Sequence, residues 1–164
     1  MIHFTNIRRA PVEIGQILAK NKQLIGYLCD DSQDPQPTQG TYTELANSHY
    51  INFYPPTETA IKDVDRNAFC VILLDTITQI DDDNTRASIA VYGVVDINHV
   101  NLTGNRSRAL EIVDEIVRSL DGVKLTCAGA MQVGSISYLV IDTNHVGYRI
   151  SVTVTDQSEE RAEI

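Results

Sequence analysis

The chain has 164 residues, of which 43% are hydrophobic and 21% charged, a balance typical of a globular protein with a packed core. It has 13 basic and 22 acidic residues, a formal net charge of −9, and only two local basic clusters (Arg8/Arg9 and Arg106/Arg108), which argues against a protein that grips nucleic acid. No apolar run approaches the ~20 residues of a membrane span, and the N-terminus lacks the pattern of a secretory signal, so we expect a soluble protein that stays in the compartment where it is made.

The first part of the chain predicts a helix, a loop and a short strand. Apolar residues three and four positions apart predict an amphipathic helix from Pro11 to Cys29, with the proline in its first turn. The polar segment DDSQDPQPTQGT contains two prolines and a glycine and predicts an exposed loop over 30–41. One or two helical turns are expected at 43–49 and a short strand at 50–54, which ends at a pair of prolines and is followed by a second loop, 55–67.

Three consecutive aspartates, Asp81, Asp82 and Asp83, lie in a third loop, 79–86, between two buried strands predicted at 68–77 and 86–97. A calcium loop has oxygen ligands at alternating positions and commonly a glycine and a later glutamate, which this stretch lacks. Adjacent side chains at a strand end point to opposite faces. Asp and Asn also accept hydrogen bonds from nearby backbone N–H groups in turns. The aspartates therefore predict a turn rather than a metal site.

The remaining chain predicts a second helix followed only by strands. The segment RSRALEIVDEIVRSL predicts a helix with an N-cap at Asn105 or Ser107 and Gly122 at its C-terminal end. Its apolar face is predicted to comprise Leu110, Val113, Val117 and Leu120, widened by Ile112 and Ile116. Its solvated face is predicted to carry the charged residues Arg108, Glu111, Asp114, Glu115 and Arg118. Strands are expected at 123–128, 137–142 and 147–155, with a hairpin turn at 143–147.

This order of elements predicts an α+β fold, a mostly antiparallel sheet with two main helices packed on one face. We expect a single domain over residues 1–164. Its exposed loops would be 30–41, 55–67 and 79–86, and its charged tail, 157–164, would be frayed.

No sequence pattern supports catalysis or a cofactor. The three cysteines are widely separated, form no CxxC pair and predict buried free thiols: Cys29, Cys70 and Cys127. Two histidines lie in loops of similar sequence, DINHV and DTNHV, where Asp96 and His99 are echoed by Asp142 and His145. These four residues are the candidates for a metal or acid–base site, although Asn-His at the start of a loop is more typical of local turn bonding. We therefore predict no enzyme, no metal and no cofactor.

The order of elements resembles that of the neck and tail-terminator proteins of tailed bacteriophages. Such proteins have an opening amphipathic helix (compare PVEIGQILAKNKQLIGYL), then a proline-marked loop before a buried strand (PPTETAIKDVDRNAFCVILLD) and a long hairpin. A second helix (RSRALEIVDEIVRSL) and a final alternating strand (GYRISVTVTD) complete the pattern. The resemblance covers residues 8–156 and is one of topology, without a diagnostic motif. The loop 30–41 and the extra strands after Gly122 depart from it.

The resemblance implies a structural virion protein that forms a homo-oligomeric ring at the head–tail junction, as tail terminator or neck component, assembled in the host cytoplasm. Its partners would be copies of itself, neighbouring neck, portal-adaptor or tail proteins gripped through the three loops, and DNA that passes without specific binding. It implies no membrane. Two other interpretations stay open. One is a small cytoplasmic α+β enzyme or ligand-binding domain that uses Asp96, His99, Asp142 and His145. The other is a non-viral adaptor that pairs through an exposed strand edge.

Overall fold

A computed structural model of the chain describes residues 7–56, 65–81 and 84–157. Its strands are β1 (Ile51–Asn52), β2 (Ala68–Gln79), β3 (Asn84–Asp96), β4 (Asn101–Leu102), β5 (Arg106–Ser107), β6 (Gln132–Val140) and β7 (His145–Gln157). Five of them form one sheet in the order β1-β2-β3-β7-β6, and β4 pairs with β5 in a separate small hairpin. Every pair in the large sheet is antiparallel except β1 with β2. The α+β class with a mainly antiparallel sheet is confirmed.

The helices are α1 (Ala10–Ala19), α2 (Lys22–Cys29), α3 (Tyr42–Asn47) and α4 (Arg108–Leu120), with 3-10 helices at Ile7–Arg9 and Ile97–His99. Helix α1 contacts β2, and α4 contacts β3 and β7. The main core lies between these helices and one face of the sheet, and it includes Ile14, Leu18, Ile112, Ile89 and Ile150. A smaller apolar cluster around Phe69, Val71 and Val94 lies on the other face. No helix among the described residues is long and apolar enough to cross a membrane.

The predicted helix from Pro11 to Cys29 is wrong, because Asn21 divides it into α1 and α2. The backbone of Asn21 is extended, with φ −86° and ψ 96°, and its side chain accepts a hydrogen bond from Leu24 N–H at 3.0 Å. The same side chain donates to Glu115 Oε2 of α4 at 3.0 Å. The N-cap therefore starts α2 and fixes it to α4. Apolar spacing does not reveal this break, because the pattern continues across it.

The prediction for the apolar face of α4 is partly wrong. The expected N-cap at Ser107 is present, where its hydroxyl accepts from Leu110 N–H at 3.4 Å, and Gly122 has the expected positive φ of 78°. However, Leu110 is 52% exposed, whereas Arg108 is only 1% exposed. The helix is therefore rotated about its axis relative to the prediction, so that the side of Arg108 faces the protein. Main-chain carbonyls, rather than water, accept the hydrogen bonds of this charged side chain.

Two predicted strands also differ. The segment 123–128 is no strand and forms only an isolated bridge between Lys124 and Ala130, because its backbone groups bond locally, from Leu125 N–H to Gly129 O and from Met131 N–H to Val123 O. The predicted strand 137–142 is instead β6, which starts at Gln132 and ends at Val140. Between β3 and α4, the chain forms the 3-10 helix Ile97–His99 and the hairpin β4–β5.

The structure describes the first predicted loop fully and the other two only in part. Loop 30–41 has no helix or strand up to the N-cap Thr41, and Asp30 carboxylate oxygens accept from Ser32 N–H and Gln36 N–H, each at 3.0 Å. In the turn between β2 and β3, Asp81 Oδ1 accepts from Asn84 N–H at 2.8 Å, as a turn-forming aspartate does. Asp82 and Asp83, the segment 57–64 of the second loop and residues 158–164 of the tail lie outside the described residues.

Gly147 of β7 lies directly against the main chain of β3 at Gly93 and Val94. A Cβ at this position would overlap with the carbonyl oxygen of Gly93, so the main chain of one strand would have to move. We expect Gly147→Ala to lower the free energy of unfolding by about 2 kcal/mol through this overpacking, measured by urea denaturation. Gly134→Ala in β6 is the matched control, because its added Cβ would meet no atom closer than 3.6 Å. Equal effects of the two substitutions would contradict the prediction.

Candidate functional site

The two loops of similar sequence meet at one end of the sheet. Asp96 ends β3 and His145 begins β7, and the two residues are direct partners in the ladder. Ile97 N–H donates to Asn144 O at 2.7 Å and joins the loops further. The structure therefore brings together the two loops that carry the residues the sequence singled out, Asp96, His99, Asp142 and His145.

Each of the two aspartates bonds within its own loop. Asp96 Oδ1 accepts from Asn98 N–H at 2.8 Å, and Asp142 Oδ1 accepts from Asn144 N–H at 2.7 Å. His145 Nδ1 lies 2.9 Å from Asp142 Oδ1, whereas His99 Nδ1 is 3.8 Å from Asp96 Oδ1. Among the residues that the structure describes, no group of three or more His, Cys, Asp or Glu side chains could hold a metal ion. The bonds from Asn98 N–H to Asp96 and from Asn144 N–H to Asp142 are those of Asx turns, which stabilise the loops.

Asp142 should make the free energy of unfolding depend on pH in the acidic range. Burial raises the pKa of Asp142, but hydrogen bonds from Asn144 and His145 outweigh it and leave the pKa below the ordinary value. A carboxyl with a lowered pKa stabilises the fold above its unfolded pKa of about 4, and this stabilisation is lost as pH falls through the folded pKa. We therefore expect the difference in unfolding free energy between wild type and Asp142→Asn to shrink from pH 5 to pH 2.5 in urea denaturation. A constant difference would contradict this role.

The edge strand β6 exposes a row of apolar side chains. Ile136, Tyr138 and Val140 are 45%, 59% and 64% exposed. Their partners across the ladder are Ile150, Tyr148 and Val146 of β7, and Ile150 and Tyr148 face the core, so the row lies on the helix-covered side of the sheet. The rings of Tyr138 and Tyr148 pack edge to face with centroids 5.5 Å apart. We call Ile136, Tyr138 and Val140 the β6 stripe.

The hydrogen-bonding edge of β6 is also open beyond Val133, whose N–H donates to Asp121 Oδ1 at 3.1 Å. Within the described part of the chain, β6 has a neighbouring strand on one side only. Its sequence, QVGSISYLV, contains no charged residue and no proline, the side chains by which edge strands usually avoid pairing with other chains. The sequence analysis missed this surface because an edge position is decided by which strands pair. The absence of charge over nine residues was the available signal.

An open groove with a volume of about 730 Å³ lies between α1 and the segment Thr126–Cys127. Glu13 connects its two walls, because its carboxylate accepts from Thr126 N–H at 2.5 Å and from Cys127 N–H at 3.3 Å. Burial raises the pKa of Glu13, but these hydrogen bonds outweigh it and leave the pKa below its usual value. The other charged residues of the lining are Arg8, Arg9 and Lys20. We call this feature the α1 groove.

Arg108 is the main structural residue that the sequence analysis misplaced. Its guanidinium donates to four main-chain carbonyls, those of Tyr27, Asp30, Ser32 and His99, at 2.6–2.8 Å. Burial lowers the pKa of Arg108, and the nearby charges of Asp31 and Asp30 oppose this shift. The side chain therefore joins the end of α2, loop 30–41 and the His99 turn.

The three cysteines all lie in the described part of the chain, and no disulfide joins them there. Burial raises the pKa of Cys70 to about 12, and burial is also the largest cause of the raised pKa of Cys29. A raised pKa disfavours the thiolate, which is the nucleophilic form. Cys127 is half-buried and lies in the wall of the α1 groove.

Comparison with known families assigns this α+β chain to a class of phage-associated proteins. The family model of YomW matches residues 21–154, most of the chain, and the protein therefore belongs to the YomW family. The matched residues include the β6 stripe, whereas α1 precedes them. No curated protein matches the chain.

Proposed function

We propose that this protein is a structural component of the phage particle, a tail terminator or neck component that forms a ring at the head–tail junction. The observation that carries the proposal is the β6 stripe together with the open edge of its strand. A second copy of the chain could cover the apolar side chains and pair with the unpaired backbone groups at the same time. Membership of a phage-associated family supports the setting.

The proposed ring requires that β6 of one copy contacts a different surface of the next copy, and not β6 of that copy. β6 and β1 are the opposite edge strands of the sheet, and α1 lies over the β2 side. If β6 of one copy contacts a different surface of the next, the interface is heterologous. Such interfaces close into a ring when the rotation between copies divides a full circle.

The charge of the chain suits a channel for DNA. A net charge of −9 on each copy makes a ring strongly acidic, and like charge keeps the phosphate backbone from adhering to the wall. DNA would pass without specific binding. Neighbouring neck, portal-adaptor or tail proteins would contact the ring through the loops 30–41, 55–67 and 79–86, and the protein would not be an enzyme.

The location of the protein in purified phage particles tests this proposal. We expect mass spectrometry to detect the protein in the particles, and gold-labelled antibody to mark one position between head and tail. Its absence from intact particles would contradict a structural role. A cytoplasmic enzyme would be found only in the lysate.

The alternative of a small enzyme or ligand-binding domain keeps one observation in its favour, the meeting of the two Asp-His loops. A His99→Ala/His145→Ala variant separates the two functions. We expect it to support normal numbers of infectious particles, because an assembly protein does not use the imidazoles for chemistry. Circular dichroism and urea denaturation serve as the control for folding. A folded variant that yields no infectious particles would favour the alternative.

A further inference from the structure

The α1 groove concentrates positive charge on an acidic chain. Arg8, Arg9 and Lys20 line it, and no salt bridge involves them among the described residues. The one acidic residue of the lining, Glu13, is occupied by two backbone N–H groups. The groove thus offers three cations to a ligand on a chain whose net charge is −9.

Apolar side chains accompany these cations. Val12 is exposed and Ile17 is partly buried in the same lining. A volume of about 730 Å³ is in the range of pockets that hold small ligands or several residues of a peptide. The lining therefore fits an acidic peptide that also carries apolar side chains.

Residues 158–164 of the chain itself have this chemistry. Their sequence, SEERAEI, has three glutamates and one arginine, a net charge of −2, together with an alanine and an isoleucine. The segment follows β7, where Thr155 O accepts from Gly129 N–H at 2.9 Å, and Gly129 is two residues from Cys127 in the groove wall. Seven residues extend over at most about 25 Å. The described chain thus passes close to its own groove at Thr155, and the seven residues after Gln157 are long enough to reach a groove on an adjacent copy.

We propose that the α1 groove of one copy binds residues 158–164 of the neighbouring copy. This inference rests on the proposed ring, because only assembly of the copies could place the neighbour's groove within reach. Each copy then gives its segment to one neighbour and receives the segment of the other. This second contact between copies is heterologous, is electrostatic and is weakened by salt.

Disulfide trapping tests the contact directly. In the Glu160→Cys variant of the full chain, mild oxidation should join the introduced thiol to Cys127 of the next copy. A non-reducing gel should then show a ladder of covalent dimers, trimers and higher oligomers. The matched control is the same variant with Cys127→Ser, which should give no ladder. A cross-link within one chain, seen as a protomer of altered mobility, would overturn the assignment to a neighbouring copy. The absence of any cross-link would overturn the pairing itself.

Charge reversal gives an independent measurement. We expect Arg8→Glu/Arg9→Glu to raise the concentration at which the ring dissociates by about tenfold at low salt, and we expect added Glu159→Lys/Glu160→Lys to restore it. The control is Lys22→Glu/Arg118→Glu, which changes the charge equally outside the groove and should have little effect. If wild type forms a ring and the groove variant dissociates like the control, only this inference fails. If wild type is a protomer throughout, the proposed ring fails and this inference fails with it.

Discussion

Arg108→Met should lower the free energy of unfolding by about 3 kcal/mol in urea denaturation. The substitution keeps much of the side-chain volume. It removes the guanidinium, which donates hydrogen bonds to the carbonyls of Tyr27, Asp30, Ser32 and His99. The Tyr27 carbonyl is in the buried part of this network and would be left without that donor. Hydrogen bonds from a charged donor contribute more than neutral ones, and an unsatisfied buried acceptor costs free energy in addition.

Arg118→Met is the control for Arg108→Met on the same helix. Arg118 Nε lies 3.0 Å from Asp114 Oδ2, but the two side chains are 70% and 52% exposed. Such a pair contributes at most about 0.5 kcal/mol, so the stability should hardly change. If both substitutions cost the same, Arg108 does not hold α2, loop 30–41 and the His99 turn together.

Tyr138→Lys should have the largest effect on assembly. The substitution places a charge in the middle of the β6 stripe, where the proposed neighbour excludes water. Loss of a central aromatic contact at an interface commonly costs about 2 kcal/mol or more, so we expect the dissociation constant between copies to rise about thirtyfold or more. Light scattering should then find the protomer of 18.2 kDa at concentrations where wild type is assembled.

Two controls accompany Tyr138→Lys. The stability of the folded protomer separates a loss of assembly from a loss of folding, and a second lysine variant tests whether the position of the charge matters. Tyr138 is already 59% exposed, so the folded protomer should lose about 1 kcal/mol or less, mainly the ring contact with Tyr148. Leu110→Lys changes the charge equally at a position that is 52% exposed on α4, and we expect it to leave the assembly intact. If Tyr138→Lys assembles as wild type does, the copies do not meet through β6.

Much of the sheet was predictable because its strands follow simple alternation. In β7, the side chains of Ile150, Val152 and Val154 are buried as the period of two predicts. The turn at Asp81 follows from the ability of a short carboxylate side chain to accept local N–H bonds. These features depend on near neighbours in the chain, which a single sequence displays.

The features that sequence analysis missed depend on distant contacts. Asn21 breaks a helix partly because Glu115 accepts from its side chain, and Arg108 is buried because three separate segments direct carbonyls toward it. Neither partner set can be read from local periodicity. In the candidate site, the loops of Asp96 and Asp142, which the sequence analysis noted for their similar residues, meet at one end of the sheet. The β6 stripe was missed because an edge position is decided by which strands pair.

The native mass of the purified wild-type protein, measured by light scattering behind a sizing column at several concentrations and salt levels, tests the central claim most directly. Negative-stain images of any large species would show its shape. We predict a closed ring with a central hole and a mass that is a whole multiple of 18.2 kDa. A protomer at every concentration, or an open filament, would contradict a ring formed through β6.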